Sequence, residues 1–256
     1  MKTVSSSGNP LIKHITSLKQ KKYRYEFNQY IIEGAKSIRE ATKYGAKLDY
    51  ILIDKEQLEL MHEFQEYPGD VVLVENNIFK KLSEEKNPQG IMAVARFYSH
   101  SLEDIAENGK AFLVLDRIQD PGNMGTLIRS ADAFGVDGIL LSSGCCDVYS
   151  PKVVRATMGS IFHIPFVYED MDSIMNAMSK NDVFVIGTSP HAAEVIKDAD
   201  IRLPAAVVLG NESGGIDDNI LLKCDGKVKI DMKGRAESLN VAVAGSIIMY
   251  EIFKTM

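Results

Sequence analysis

Short runs of β-branched and other apolar residues alternate along most of this chain with longer stretches whose apolar positions recur at helical spacing. In the first part, strands are predicted over 30–32, 50–53, 71–74 and 91–95, with helices over 35–44, 56–66 and 78–82 between them. An earlier helix starts at Ser7-Gly8-Asn9-Pro10, which puts proline at the first helical position. Leu11, Ile12, Ile15 and Leu18 then form one apolar stripe. This portion reads as a small βαβ-type module of about 75 residues. A polar stretch over 99–110, with room for a short helix, is the natural boundary.

Beyond it, strands over 111–115, 138–141, 183–187, 206–209 and 227–230 alternate with helical stretches over 124–134, 151–158, 171–179 and 218–222. Such alternation builds a mostly parallel sheet covered on both faces, and ligands bind beyond the C-terminal strand ends of such sheets. The expectation is an α/β chain with a first domain over 1–98, a linker over 99–110 and a second domain over 111–256. The last helix opens on E-S-L-N and continues V-A-V-A-G-S-I-I-M-Y, ending at Tyr250. Small residues at 242, 244, 245 and 246 admit close packing, and Ser238 is well suited to cap the helix. Glu237, Ser238 and Asn240 at its start fit either a site or an ordinary capped core helix.

Composition changes this picture little. The chain is 45% apolar and 25% charged, without Trp, and no apolar run approaches the roughly 18 residues that span a bilayer. The N-terminus has no hydrophobic segment of the kind a signal peptide needs, so a cytoplasmic location is expected. Cys145, Cys146 and Cys224 lack metal-type spacing and are expected as free thiols, and the histidines are scattered singly, so no metal site is expected.

Charge changes it more. The net value of −6, taken whole, argues against a nucleic-acid partner, yet residues 1–47 hold ten Lys or Arg against three acids, Glu26, Glu33 and Glu40. A basic arm on an acidic body suits a local polyanion contact, because phosphate attraction acts over about a Debye length. Lys13, Lys19, Lys21, Lys22 and Arg24 lie outside the apolar stripe, and Tyr23, Tyr25, Phe27 and Tyr30 lie among or just after them. Aromatics beside cations can stack on bases or sugars, and they can equally fill a core over which the lysines are solvated.

Three loops leave strand ends with unusual content. Asp116 to Gly125 reads D-R-I-Q-D-P-G-N-M-G and runs into a helix carrying Arg129; Pro121 and Gly122 force a turn there. Gly210 to Gly215 places Glu212 among three glycines, an entropic cost that mere solvation does not explain. Ile230 to Arg235 leads to Ser238 and Asn240. No G-x-G-x-x-G follows a strand, no G-K-[ST] occurs, and Ser213 stands in G-N-E-S-G rather than G-x-S-x-G. The usual dinucleotide, P-loop and hydrolase templates therefore do not apply.

The runs D-P-G-N-M-G-T-L-I-R-S-A-D-A-F-G-V-D-G-I at 120–139, V-L-G-N-E-S-G-G-I at 208–216 and I-D-M-K-G-R-A-E-S-L-N-V-A-V-A at 230–244 resemble the three motifs of the SpoU (TrmH-like) family. Its members are RNA 2′-O-ribose methyltransferases of the SPOUT class. I-I-E-G at 31–34 and N-P-Q-G-I at 87–91 resemble, over shorter runs, the L30e-like RNA-binding domain that often precedes the catalytic one. The resemblance implies a deep trefoil knot, a homodimer joined through the knot region, and S-adenosyl-L-methionine as methyl donor. It places Asn123, Arg129, Glu212, Ser238 and Asn240 on the family's catalytic positions. Gly210, Ile230 and Leu239 fall on positions that meet the donor through backbone groups, with Thr188, Leu209 and Met232 beside them. Structured RNA, rRNA ahead of tRNA, is the implied substrate, for which Lys13, Lys21, Lys22 and Arg24 are the candidate contacts. Position 231 is Asp where the family usually has Pro, and 213 is Ser where Gly is common; both departures bear on loop shape. Two other readings stay open: an RNA-binding or assembly factor that kept the scaffold without catalysis, and a small-molecule methyltransferase.

Overall fold

The computed structural model describes residues 2–64, 67 and 69–254. They form two compact units: 1–98 with 147–162, and 99–146 with 163–256.

In the first unit the elements run β1 (Lys2–Val4), α1 (Pro10–Ser17), α2 (Lys21–Phe27), β2 (Gln29–Glu33), α3 (Ala35–Lys43), β3 (Leu48–Asp54), α4 (Glu59–Phe64), β4 (Asp70–Val74), α5 (Asn76–Leu82) and β5 (Ile91–Arg96). The start of α1 is as expected: Asn9 caps it by accepting from the Leu11 amide, and Pro10 stands in the first turn. The helix expected over 56–66 occupies Glu59–Phe64, and the end of that range, 65 and 66, lies outside the described residues. The sheet order is β1-β4-β3-β5-β2. Strands β1, β4 and β3 are parallel, while β5 runs antiparallel to both β3 and β2. The βαβ expectation thus holds for β3-α4-β4, and β5 inserts between β2 and β3. Ile12, Ile15 and Leu18 pack with Val72, Val74, Phe79 and Met92 on one side of this sheet.

Two expectations about the basic N-terminus are corrected. It is no free arm: β1 pairs with β4 and α1 is part of the core. Arg24 is not a surface cation. It is 4% exposed; its Nε and Nη2 donate to Asp147 Oδ2 at 2.9 and 2.6 Å, and its Nη1 donates to the Leu18 and Lys19 carbonyls at 2.8 Å each. With its donors turned inward, Arg24 cannot meet an RNA phosphate.

The chain continues with α6 (Leu102–Asn108), β6 (Ala111–Leu115), α7 (Pro121–Ala133) and β7 (Gly138–Ser142). It returns to the first unit over 147–162, with α8 (Pro151–Ala156) and a short 3-10 turn, Ser160–Phe162. The rest belongs to the second unit: β8 (Phe166–Glu169), α9 (Met171–Lys180), β9 (Phe184–Thr188), β10 (Glu194–Val195), β11 (Ala205–Leu209), α10 (Asp218–Lys223), β12 (Gly226–Lys229) and α11 (Val241–Phe253). The second sheet is β10-β12-β9-β11-β6-β7-β8, and every pairing in it is parallel. Its central strands carry continuous apolar runs, as a sheet covered on both faces requires; β6, β7 and β11 are buried at every position. Among the described residues, no helix is long and apolar enough to cross a membrane.

Candidate active site

From β6 the chain proceeds outward to β7 and β8, and it later returns to place β11 on the other flank of β6. This is a topological switch point, where the loops leaving two adjacent strands diverge and open a crevice. The two loops are knitted together at their bases. The Asp116 amide donates to the Leu209 carbonyl at 2.8 Å, and the Asn211 side chain donates to the Arg117 carbonyl at 2.9 Å. Asp116 is 2% exposed, and its carboxylate takes a two-pronged contact from Arg117, Nε at 2.9 Å and Nη2 at 2.7 Å. That hydrogen bond is the main cause of a guanidinium pKa raised above its ordinary value. Arg117 itself adopts the left-handed conformation, φ 55°, at the strand-to-loop corner.

The loop after β11 folds back on itself. Asn211 and Gly215 exchange backbone hydrogen bonds of 3.1 and 2.9 Å, and Asn211 Oδ1 accepts from the Ser213 amide at 2.9 Å. Gly210 has no room for a side chain: a Cβ there would lie 2.1 Å from the Gly215 carbonyl carbon and the Ile216 nitrogen. This tight return delivers Glu212 to the start of α7, whose first turn is capped by Asp120 accepting from the Asn123 amide.

Three stretches far apart in sequence meet there. Asn123 Nδ2 donates to Glu212 Oε1 at 2.9 Å, and Asn240 Nδ2 donates to Asn123 Oδ1, also at 2.9 Å. Asn240 is in turn held because its Oδ1 accepts from the Ala242 and Val243 amides as the N-cap of α11. The polarity of this line is therefore set from α11 outward. Partial burial pushes the Glu212 carboxyl up, but the Asn123 hydrogen bond and nearby main-chain amides outweigh it and leave the pKa below the usual value. Glu212 is thus an anion at neutral pH. Helix α11 lies against α7, with Ser130 and Ser246 hydroxyls 2.7 Å apart, and Gly245 admits the Leu209 and Leu127 side chains.

The same architecture has known relatives. The SpoU rRNA methylase family matches residues 110–250, and an MRM3-like substrate binding domain matches residues 9–93. The chain belongs to the SpoU rRNA methylase family. Among its relatives, the 23S rRNA (guanosine(2553)-2'-O)-methyltransferase RlmP of Bacillus subtilis (strain 168) is 33% identical over 252 residues, covering 98% of this chain and 99% of its own. The 23S rRNA (uridine(2479)-2'-O)-methyltransferase of Streptomyces viridochromogenes is 31% identical, over 89% of this chain and 83% of its own. An AdoMet-bound rRNA methyltransferase from Sinorhizobium meliloti superposes with a TM-score of 0.91 at 31% identity, over 100% of this chain and 98% of that one.

Of the residues that resemblance to the SpoU family singled out, Asn123, Glu212 and Asn240 form the line just described. Thr188, Leu209 with Gly210, and Ile230 stand at or just past the C-terminal ends of β9, β11 and β12, which are neighbouring strands of the sheet. Thr188 Oγ1 donates to the Val208 carbonyl at 2.9 Å, Met232 is half-buried, and Leu239 is 37% exposed. Arg129 projects from α7 as an exposed cation. It is six residues past Asn123, about 240° round the helix, and takes no part in the Asn123 line. Ser238 is exposed and does not cap α11; Asn240 does. The helix begins later than expected because one amide-bearing side chain serves two helix amides and Asn123 together. Asp116, Arg117 and Asn211, which brace both loops, carried no role in the sequence reading. Their signal was an acid-base pair placed directly at a strand end.

Proposed function

We propose that this chain transfers a methyl group from S-adenosyl-L-methionine to a ribose 2′-hydroxyl of ribosomal RNA. The observation that carries the reading is the Glu212–Asn123–Asn240 line, in which three distant loops are locked to one another at the switch point. The residues present suit the donor. Ile230 follows β12 and Gly210 follows β11, the two strands that flank β9, and together with Leu239 and Met232 they offer apolar side chains and main-chain groups, a mixture that accepts a flat heterocycle and its polar edge. When bound there, the donor supplies a sulfonium methyl group for in-line displacement.

The protein's own contribution is positional and electrostatic. The attacking hydroxyl must shed its proton to solvent as the oxygen–carbon bond forms and the carbon–sulfur bond breaks to release a neutral thioether, so cationic donors aimed at that oxygen lower the barrier. Arg129 serves that role by stabilising developing alkoxide and clamping an adjacent phosphate, since a guanidinium keeps its proton at physiological pH. Asn123, Glu212, Ser238 and Asn240 fix the geometry. Lys13, Lys21 and Lys22, all exposed, contribute to RNA binding. A deep knot through the second unit, a cytoplasmic location and a homodimer belong to the same reading. Val243, Ile247 and Tyr250, 48%, 37% and 51% exposed, form one apolar stripe along α11 that a second copy would cover. A sedimentation profile showing only monomer would remove the dimer.

The deciding experiment is single-turnover methylation of 23S rRNA with calorimetry of donor binding. Wild-type protein binds the donor and methylates. Arg129→Lys binds it equally but reacts about 10²-fold more slowly. Absence of donor binding would favour a non-catalytic RNA factor, and an unimpaired lysine variant would strip the guanidinium of its role.

A further inference from the structure

Helix α2 inverts the ordinary arrangement of a surface helix. Its one buried residue is an arginine, Arg24, while Tyr25 and Phe27 are 41% and 42% exposed. Tyr23 beside them is half-buried, and the rings are ordered. Tyr23 and Phe27, one helical turn apart, lie with planes 13° from parallel and centroids 6.3 Å apart. The His14 and Phe27 rings meet edge-to-face with centroids 4.7 Å apart, and His14 Nε2 is held 2.7 Å from Gln29 Oε1. Lys22 Nζ stands 5.5 Å from the Tyr23 ring centre, and Lys21 Nζ stands 5.4 Å from that of Tyr25. Tyr25 packs edge-to-face with Phe97, the ring centroids 5.2 Å apart.

We infer that this outer face of α2 is a stacking platform for unpaired bases of an RNA, with Tyr23 and Phe27 as the stacking rings and Lys21 and Lys22 as phosphate contacts. The inference rests on the RNA reading above and narrows it to single-stranded or looped RNA at this face. Charge argues for a polyanion: the first 47 residues are strongly basic in a chain of net charge −6, and the outer face of α2 carries one acid, Glu26. Ring chemistry argues for open bases, because an A-form duplex hides its base faces and is bound through backbone and 2′-hydroxyls. Rigidity argues that the face is prepared in advance. Arg24 clamps the helix to Asp147 and to the Leu18 and Lys19 carbonyls, and Asn28 in the left-handed conformation ends it, so little ordering cost remains for binding.

The test measures affinity of the full chain for a uridine oligomer of about 16 nucleotides and for an RNA duplex of about 16 base pairs, each at several salt concentrations. Tyr23→Ala with Phe27→Ala should weaken oligomer binding about 5- to 100-fold with an unchanged salt slope, and should leave duplex binding unchanged. Lys21→Ala with Lys22→Ala should lower the oligomer salt slope by about 1.4. Tyr23→Leu with Phe27→Leu keeps apolar bulk on the helix, and should weaken the oligomer as the alanine pair does. Equal losses on duplex and oligomer, no loss on the oligomer, or full affinity in the leucine pair would overturn the platform; the last outcome would mark an apolar docking surface for protein. Far-ultraviolet circular dichroism of each variant reports on the fold separately. A chain that stacks RNA this way but never methylates would refute the activity and leave the platform standing.

Discussion

Replacing Gly210 by alanine should abolish donor binding and reduce methylation by at least about 10²-fold, the scale of a misplacement near 1 Å. The added Cβ would lie 2.1 Å from two main-chain atoms of the returning loop, Gly215 C and Ile216 N. Main chain cannot swing aside as a side-chain tip can, so the segment from Asn211 to Ile216 must move as a piece. That segment carries Glu212 to Asn123 and braces the Arg117 carbonyl through Asn211. Ile216, 6% exposed, anchors it in the core of the second unit. Overpacking of this kind costs about 1–3 kcal/mol, so the protein should still fold, and the loss should fall on activity. Gly214→Ala is the matched control, because nothing lies within 4 Å of its added Cβ and its backbone is not left-handed. Isothermal calorimetry and single-turnover rates of both variants decide the matter. A fully active Gly210→Ala protein would mean that the loop is not part of the donor's wall.

The contrast between these two glycines bears on what can be read from sequence. That the G-N-E-S-G-G loop is special follows from its composition, but which glycine is indispensable depends on how tightly the loop returns. Local rules served well where a feature is local. Asn9-Pro10 opens α1 and the polar-to-apolar rhythm locates most strands, whereas Pro121 and Gly122, expected as a turn ahead of a helix from 124, already form the first turn of α7 behind the Asp120 cap. They failed for short or half-exposed elements: β1 is a three-residue edge strand, β8 is buried only at Phe166, and α2 has no apolar stripe to betray it. Ser238 and Asn240 are both good capping residues, and only the distant Asn123 decides between them. The placement of β11 between β9 and β6 is likewise a long-range choice. Arg24 is the clearest case, because its lysine-rich neighbourhood points to solvent while its partner stands 123 residues away.

Removing that partner should be the most destabilising change available in the first unit. Asp147 and Arg24 side chains are 6% and 4% exposed, and the carboxylate also accepts from the Tyr149 amide at 3.0 Å. Burial and the adjoining Asp147 carboxylate together raise the Tyr25 phenol to about 12, so that side chain stays a neutral donor. Asp147→Ala leaves a guanidinium enclosed without its counter-charge, which costs about 3–5 kcal/mol. The double replacement Arg24→Met with Asp147→Asn removes both charges at similar volume, keeps an acceptor for the Tyr149 amide, and should recover part of that loss. The chain reports on this directly. It has no Trp, and all of its tyrosines but Tyr168 and Tyr250 lie in the first unit, so tyrosine fluorescence in urea follows that unit's unfolding. Because Asp147 begins the segment that returns from the second unit to the first, its loss should also free 147–162, exposing that stretch to limited proteolysis before either unit melts. An Asp147→Ala protein whose fluorescence transition and cleavage pattern match wild type would show that the buried pair contributes no net stability and that other contacts hold the segment down.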